Sequence, residues 1–111
     1  MKVRLSEGMI RFRLDREQVT ALSGGSPVRN TLPDNGMGVV YQLHPVAGEF
    51  PSADMADGFR VGLPSTWLID WPDSEVVGFD FDVTPTLRVV VEKDFPCSHG
   101  EAKPAPPVRK P

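Results

Sequence analysis

At 111 residues, 40% of them hydrophobic, the chain has apolar material for one shared core and too little for two independent ones. A formal net charge of −3 speaks against a protein built to grip a polyanion, because nucleic-acid affinity rests on Lys and Arg neutralising phosphates. The single cysteine, Cys97, has no intrachain partner for a disulfide and fits a reducing compartment.

The charge is unevenly spread. Residues 1–16 hold Lys2, Arg4, Arg11, Arg13 and Arg16 against Glu7 and Asp15, a net +3, whereas residues 70–82 hold Asp70, Asp73, Glu75, Asp80 and Asp82 with no base. The opening residues carry charge at alternate places and offer no unbroken apolar run, and no run approaches the roughly 18 apolar residues of a membrane span. The expectation is a cytoplasmic protein without membrane contact.

In chain order, Val3 and Leu5, then Ile10, Phe12 and Leu14, alternate with Lys2, Arg4, Arg11 and Arg13. Period two predicts two half-buried strands, and Glu7-Gly8 between them predicts the hairpin turn. Asp15 stands where a helix N-cap belongs, with Gln18 three residues on as in a capping box and Gly24-Gly25 to end the helix. Val19 and Leu22 form its apolar stripe. Residues 28–32 and 37–44 predict two more strands around Pro33-Asp34-Asn35-Gly36, with Val39, Tyr41 and Leu43 pointing inward.

Residues 45–56 join this half to the next, and their end is expected to form an edge strand turning at Asp57-Gly58. Phe59 to Leu63 predicts a strand, and Pro64 then opens a helix that ends before Pro72, with Trp67, Leu68 and Trp71 on one face. Val77, Phe79, Phe81 and Val83 alternate with Asp80 and Asp82, and Leu87, Val89 and Val91 alternate with Arg88, Val90 and Glu92, around Thr84-Pro85-Thr86. Residues 101–111 hold four prolines and almost nothing to bury, which predicts a disordered tail.

The order of hairpin, helix and hairpin thus occurs twice, over residues 2–44 and 49–95, with Arg11/Arg60, Leu14/Leu63 and Val28/Val77 identical at a constant offset. The prediction is one α+β domain over residues 1–100, mainly antiparallel β, closed into a small barrel by two repeats with two short helices.

Phe59-Arg60-Val61-Gly62-Leu63-Pro64, the helix to Trp71, and Asp73-Ser74-Glu75-Val76 before two strands resemble the AbrB and MazE type of swapped-hairpin domain within the cradle-loop barrels. The resemblance implies two units sharing one barrel, a fold that often binds DNA through basic loops. Here both units lie in one chain and the second is acidic, which favours the barrel over the DNA role. Lys2-Val3-Arg4-Leu5, Ile10-Arg11-Phe12-Arg13-Leu14 and the ending Val91-Glu92-Lys93-Asp94-Phe95-Pro96-Cys97-Ser98-His99 also resemble a family of small bacterial proteins without an assigned function. That resemblance spans residues 1–99 and implies no activity. This chain has Ser98 where members carry an apolar residue, and a basic, proline-rich tail where theirs is acidic.

Glu92, Asp94, Cys97 and His99 are the densest group of potential ligands, and thiolate plus imidazole two residues apart suits zinc. A structural zinc site needs four ligands in paired motifs, and there is no second pair. The competing reading makes Glu92, Lys93 and Asp94 solvent positions and Cys97 a small packed residue. Gly24-Gly25-Ser26 follows a helix where a phosphate loop would precede one. Asp80 and Asp82 are expected on an exposed strand face, without the cleft that acid/base catalysis requires.

The reading is therefore a bacterial, non-enzymatic binding or regulatory module that uses no cofactor. Its partner is an unknown protein or small molecule, and a monomer is favoured over a dimer. One alternative is a metal-dependent or thiol-dependent activity at Cys97 and His99. Another is an antitoxin-like DNA-binding regulator using Arg11, Arg13 and Arg16. Against the second alternative, a mobility-shift assay is expected to show no DNA complex near physiological salt. A complex that persists there overturns the argument from charge.

Overall fold

The computed structural model describes residues 1–30, 39–55 and 58–95, together with the backbone of 108–109. The chain forms β1 (Lys2–Ser6), β2 (Met9–Leu14), α1 (Arg16–Ser23), β3 (Val28–Asn30), β4 (Tyr41–Val46), β5 (Ser52–Asp54), β6 (Phe59–Pro64), α2 (Ser65–Leu68), a 3-10 turn at Trp71–Asp73, β7 (Gly78–Thr84), β8 (Leu87–Lys93) and β9 (Val108–Arg109). The class is α+β, as the residue pattern predicts.

The local signals hold where they rest on specific side chains. Asp15 caps α1, its carboxylate accepting from the Gln18 backbone N–H at 2.8 Å while the Gln18 side chain accepts from the Asp15 N–H at 3.0 Å. Val19 and Leu22 are the buried residues of α1. The second helix is shorter than predicted. Pro64 closes β6 and caps α2, which is a single turn, and the chain then tightens into the 3-10 turn through Pro72. A proline near the start of that turn removes an N–H that has no partner there in any case.

The strands make two mixed sheets, ordered β1-β2-β8-β7-β9 and β3-β4-β6-β5. Within each half the pairings are antiparallel hairpins. The halves meet through two parallel pairings, β2 with β8 (Ile10 opposite Val89) and β4 with β6 (Leu43 opposite Val61). Exchanging each of β1 to β4 with the strand four places along converts β1-β2-β8-β7 into β5-β6-β4-β3, so each sheet takes one hairpin from each half.

The inward rows pack between the sheets. Phe12 of β2 lies 6.4 Å from the Phe59 ring and 6.1 Å from the Tyr41 ring, both on the other sheet. Leu14, Leu43, Val61, Leu63, Val89 and Val91 are fully buried around them. Trp71 and Trp67 close one end against Phe79, at 4.9 and 5.1 Å, and the Trp71 indole N–H donates to the Val76 carbonyl at 2.9 Å.

The barrel predicted from the repeat is not closed. At one seam the sheets touch through a side chain, Asn30 Nδ2 donating to the Met1 carbonyl at 3.1 Å. At the other, β5 and the far half of β7 flank a cavity of about 250 Å³ lined by Pro51, Ser52, Ala53, Phe81, Asp82 and Val83. The facing strands β3 and β5 have three residues each, too short to carry a ladder across. Where an unordered tail is expected, Val108 and Arg109 add a parallel strand to β7 opposite Phe79 and Asp80.

Two hairpin turns need glycine for different degrees of crowding. Gly8 and Gly58 both have positive φ, and a Cβ would stand 3.3 Å from the Thr86 carbonyl at Gly8 but 2.2 Å from the Val40 carbonyl at Gly58. Gly25 also has positive φ but open space around it. Gly25→Ala is therefore expected to cost only the left-handed penalty, about 1 to 2 kcal/mol. Gly58→Ala adds a backbone clash worth about another 1 to 3 kcal/mol. Urea denaturation of the two variants checks the order, and equal losses would contradict the close approach.

Candidate functional site

The outer face of the four-stranded sheet carries one continuous polar row. Register places Arg29 opposite Gln42, Gln42 opposite Arg60, and Arg60 opposite Asp54, so four strands contribute one side chain each. Their immediate sequence neighbours Val28, Leu43, Val61 and Ala53 form the next row, which faces the core. This follows from the period-two alternation of each strand, because shifting any strand by one residue would bury the row.

Gln42 is the pivot of this face and only 9% exposed, since the side chains of both neighbouring strands cover it. Its Oε1 accepts from Arg29 Nε at 2.7 Å, and its Nε2 lies 3.3 Å from His44 Nδ1. With the oxygen committed to a guanidinium, the amide offers His44 a donor, so Nδ1 must be the unprotonated nitrogen. Arg60 donates from Nε and Nη2 to the two Asp54 oxygens, at 3.1 and 3.4 Å. Arg29, Val40, Gln42 and Arg60 line a recess of about 290 Å³, the small end of the range of ligand pockets. Behind the row, Gly62 leaves room that a Cβ would fill, with Ser52 Oγ and Val46 Cγ1 at 2.6 Å and His44 Nε2 at 3.3 Å from that point.

The five-stranded sheet has a different outer face. Arg11 and Arg13 meet Glu92 at 2.9 and 3.5 Å, Arg13 and Lys2 meet Asp94 at 3.0 and 2.9 Å, and Arg88 spans Asp80 and Asp82 at 3.7 and 3.1 Å. Lys2, Arg11, Arg13 and Arg88 are thus paired with carboxylates within the chain, while Arg4 on the edge strand is exposed without an ion pair among the described residues. Arg16 lies over the Phe95 ring, 4.5 Å from its centroid. The three arginines of the DNA-binding alternative are thus engaged locally.

Of the proposed metal ligands, Glu92 and Asp94 are placed in those ion pairs, and Cys97 and His99 lie outside the described residues. No group of three or more metal-ligating side chains occurs among the described residues. Two positions expected in solvent are buried. Lys93 is 5% exposed and donates to the Ser74 carbonyl at 2.7 Å, because it continues the inward row of Val89 and Val91. Asp80 is 8% exposed on an interior strand, with Arg88 of the neighbouring strand reaching over it at 3.7 Å.

The fold and the recess define a small two-sheet α+β protein with a polar face on one sheet. The chain belongs to DUF7009, a family of unknown function whose model matches residues 1–104. The resemblance to small bacterial proteins without an assigned function agrees with that match, whereas the AbrB-like resemblance is not confirmed by it. No curated protein matches the chain, and no solved structure does. No helix among the described residues is long and apolar enough to cross a membrane.

Sequence reasoning missed Arg29, Gln42, His44 and Arg60 as a group. Each is visible as a polar residue alternating with apolar ones, but their convergence depends on the parallel pairing of β4 with β6.

Two groups, His44 beside the recess and Asp94 on the outer face of the other sheet, give the protein a pH dependence. Partial burial, and then the positive charge of Arg60, hold His44 below its ordinary value, with Asp54 pulling the other way. The hydrogen bond from Lys2, aided by Arg13, holds Asp94 below the usual carboxylate range. Both depressed values give stability that is present above the unfolded pKa and lost as pH falls through the folded one. The urea midpoint is expected to decline as pH drops from about 7.5 to 5, with a flatter decline in His44→Gln. Asp94→Asn is expected to flatten the limb below about pH 4 instead. Parallel curves for wild type and His44→Gln would remove His44 from this account.

Proposed function

We propose that this chain is a non-enzymatic binding module whose small ligand occupies the recess between Arg29, Val40, Gln42 and Arg60. The observation that carries the reading is the cross-strand row: hydrogen-bonding side chains of three adjacent strands converge on one concavity, and a buried amide fixes their floor. The seam cavity beside Ala53 and Phe81 offers less to recognise a ligand, since its carboxylate, Asp82, already accepts from Arg88.

The proposal takes residues 1–100 as one domain and its halves as copies of one hairpin–helix–hairpin unit. Support comes from the exchange relation between the two strand orders and from Gly8 and Gly58, which occupy corresponding turns against a carbonyl of the other hairpin. A cytoplasmic, bacterial setting and a monomeric state belong to the same proposal. The first rests on the single cysteine and the resemblance to small bacterial proteins. The second rests on the pairing of basic and acidic residues within the five-stranded sheet.

A chemically mixed fragment library, screened by amide correlation spectra of the full chain, tests the reading. Binders are expected to shift the backbone amides of Arg29, Val40, Gln42 and Arg60 and the Gln42 side-chain amide together. Shifts that gather elsewhere, or that appear with no fragment, overturn it.

A further inference from the structure

Arginines on the two sheets are used differently. On the five-stranded sheet Arg11, Arg13 and Arg88 each contact a carboxylate, and Arg4 on the edge strand extends into solvent without being held by a neighbour among the described residues. On the four-stranded sheet Arg60 has Asp54, but Arg29 contacts, among the described residues, a neutral amide through Nε. A guanidinium has five N–H donors in a planar fork, so Arg29 holds its whole terminal edge in reserve, and Arg60 keeps the donors that Asp54 does not take. Orienting the charged side chain through Nε costs entropy that a single bond to a neutral group repays poorly, which is expected where the outer edge has a further partner.

The two guanidinium groups are also spaced for one ligand. Arg29 and Arg60 flank Gln42 on alternate strands, which puts their backbones about 10 Å apart. Two arginine side chains rising from that separation into a shared recess can close on a single oxyanion, each through two parallel N–H bonds. Gln42 is neutral and already bonded through its oxygen to Arg29 and through one N–H to His44, so it sets no negative charge against an anion there.

We infer that the recess takes a small oxyanion, the phosphate or carboxylate group of a low-molecular-weight ligand, clamped between the guanidinium groups of Arg29 and Arg60. The inference rests on the reading of the recess as a ligand site and adds the class of ligand. A volume of about 290 Å³ exceeds a bare phosphate and accommodates a phosphomonoester or a short dicarboxylate. Recognition is through the charged group, so affinity falls as ionic strength rises.

Titrations of the full chain with inorganic phosphate, glycerol phosphate, succinate and, as control, chloride, all at one fixed ionic strength, test the inference. At least one oxyanion is expected to shift the Arg29, Gln42 and Arg60 resonances saturably while chloride does not, and comparison of the phosphate and carboxylate arms identifies the group. Arg29→Gln is expected to weaken that binding about tenfold, the loss for one charge-assisted contact. Arg4→Gln, an exposed arginine on the other sheet, is expected to leave it unchanged. Equal weakening by both variants would mean unspecific charge attraction and overturn the clamp. If neutral or cationic fragments shift the recess while no oxyanion does, the inference falls and the ligand site stands. If no compound class shifts it, both fall.

Discussion

Everything in this molecule depends on two parallel strand pairings, β2 with β8 and β4 with β6. Each half of the chain by itself supplies two antiparallel hairpins, and an isolated two-stranded hairpin is marginal in water. The pairings put each hairpin beside one from the other half, and four strands with a buried face become possible. The same step brings Phe12 against Phe59 and Tyr41, so that sheet formation and core formation are one event. Whereas β4 and β6 pair over a much shorter loop, Leu43 opposite Val61, the partners in β2 and β8 are far apart in sequence, as the Arg11–Glu92 contact shows with a separation of 81 residues. Loop closure on that scale precedes any reward from contact, which makes the interleaved state cooperative and leaves no half with a core of its own.

The two pairings also decide what the outer faces become. Bringing β2 beside β8 sets a basic strand against the acidic end of its neighbour, and Arg11 and Arg13 pair with Glu92 and Asp94 inside one sheet, partly shielded from water. Bringing β4 beside β6 sets Gln42 beside Arg60, with Arg29 on the other flank and Asp54 beyond. A neutral residue at the centre of the row replaces what a carboxylate does on the other sheet. The result is a surface whose donors outnumber its acceptors, and the recess lies there.

Much of the fold was legible because its signals are local. Asp15 and Gln18 announce the capping box, Gly8 and Gly58 their turns, and the alternation around Phe12, Val61, Phe79 and Val89 the inward rows. The repeat of these signals pointed to a shared core. Closure into a barrel was not legible, because it turns on whether short edge strands can meet, and the length of β5 depends on what β6 offers it. The site was legible only as separate polar residues. Arg29 and Arg60 stand 31 positions apart, and no rule of spacing joins them without the register of β3, β4 and β6.

Lys93 and Asp80 are buried for opposite reasons, and the reason for Asp80 also explains the recess. Period two says which face of a sheet a side chain takes, but its exposure there depends on how many strands stand beside it. On an edge strand, Lys2 and Arg29 point outward and stay exposed. On interior strands, Gln42 and Asp80 also point outward and are buried, because arginines of neighbouring strands fold over them. Lys93 is the converse: its direction is inward, and its long stem reaches the Ser74 carbonyl while the ammonium lies 5.9 Å from the Trp71 ring centroid. A polar residue buried on an outward face is held by its neighbours and cannot reorient without them. For Gln42 that rigidity holds Arg29 by Nε, with the far edge of its guanidinium turned away from the amide.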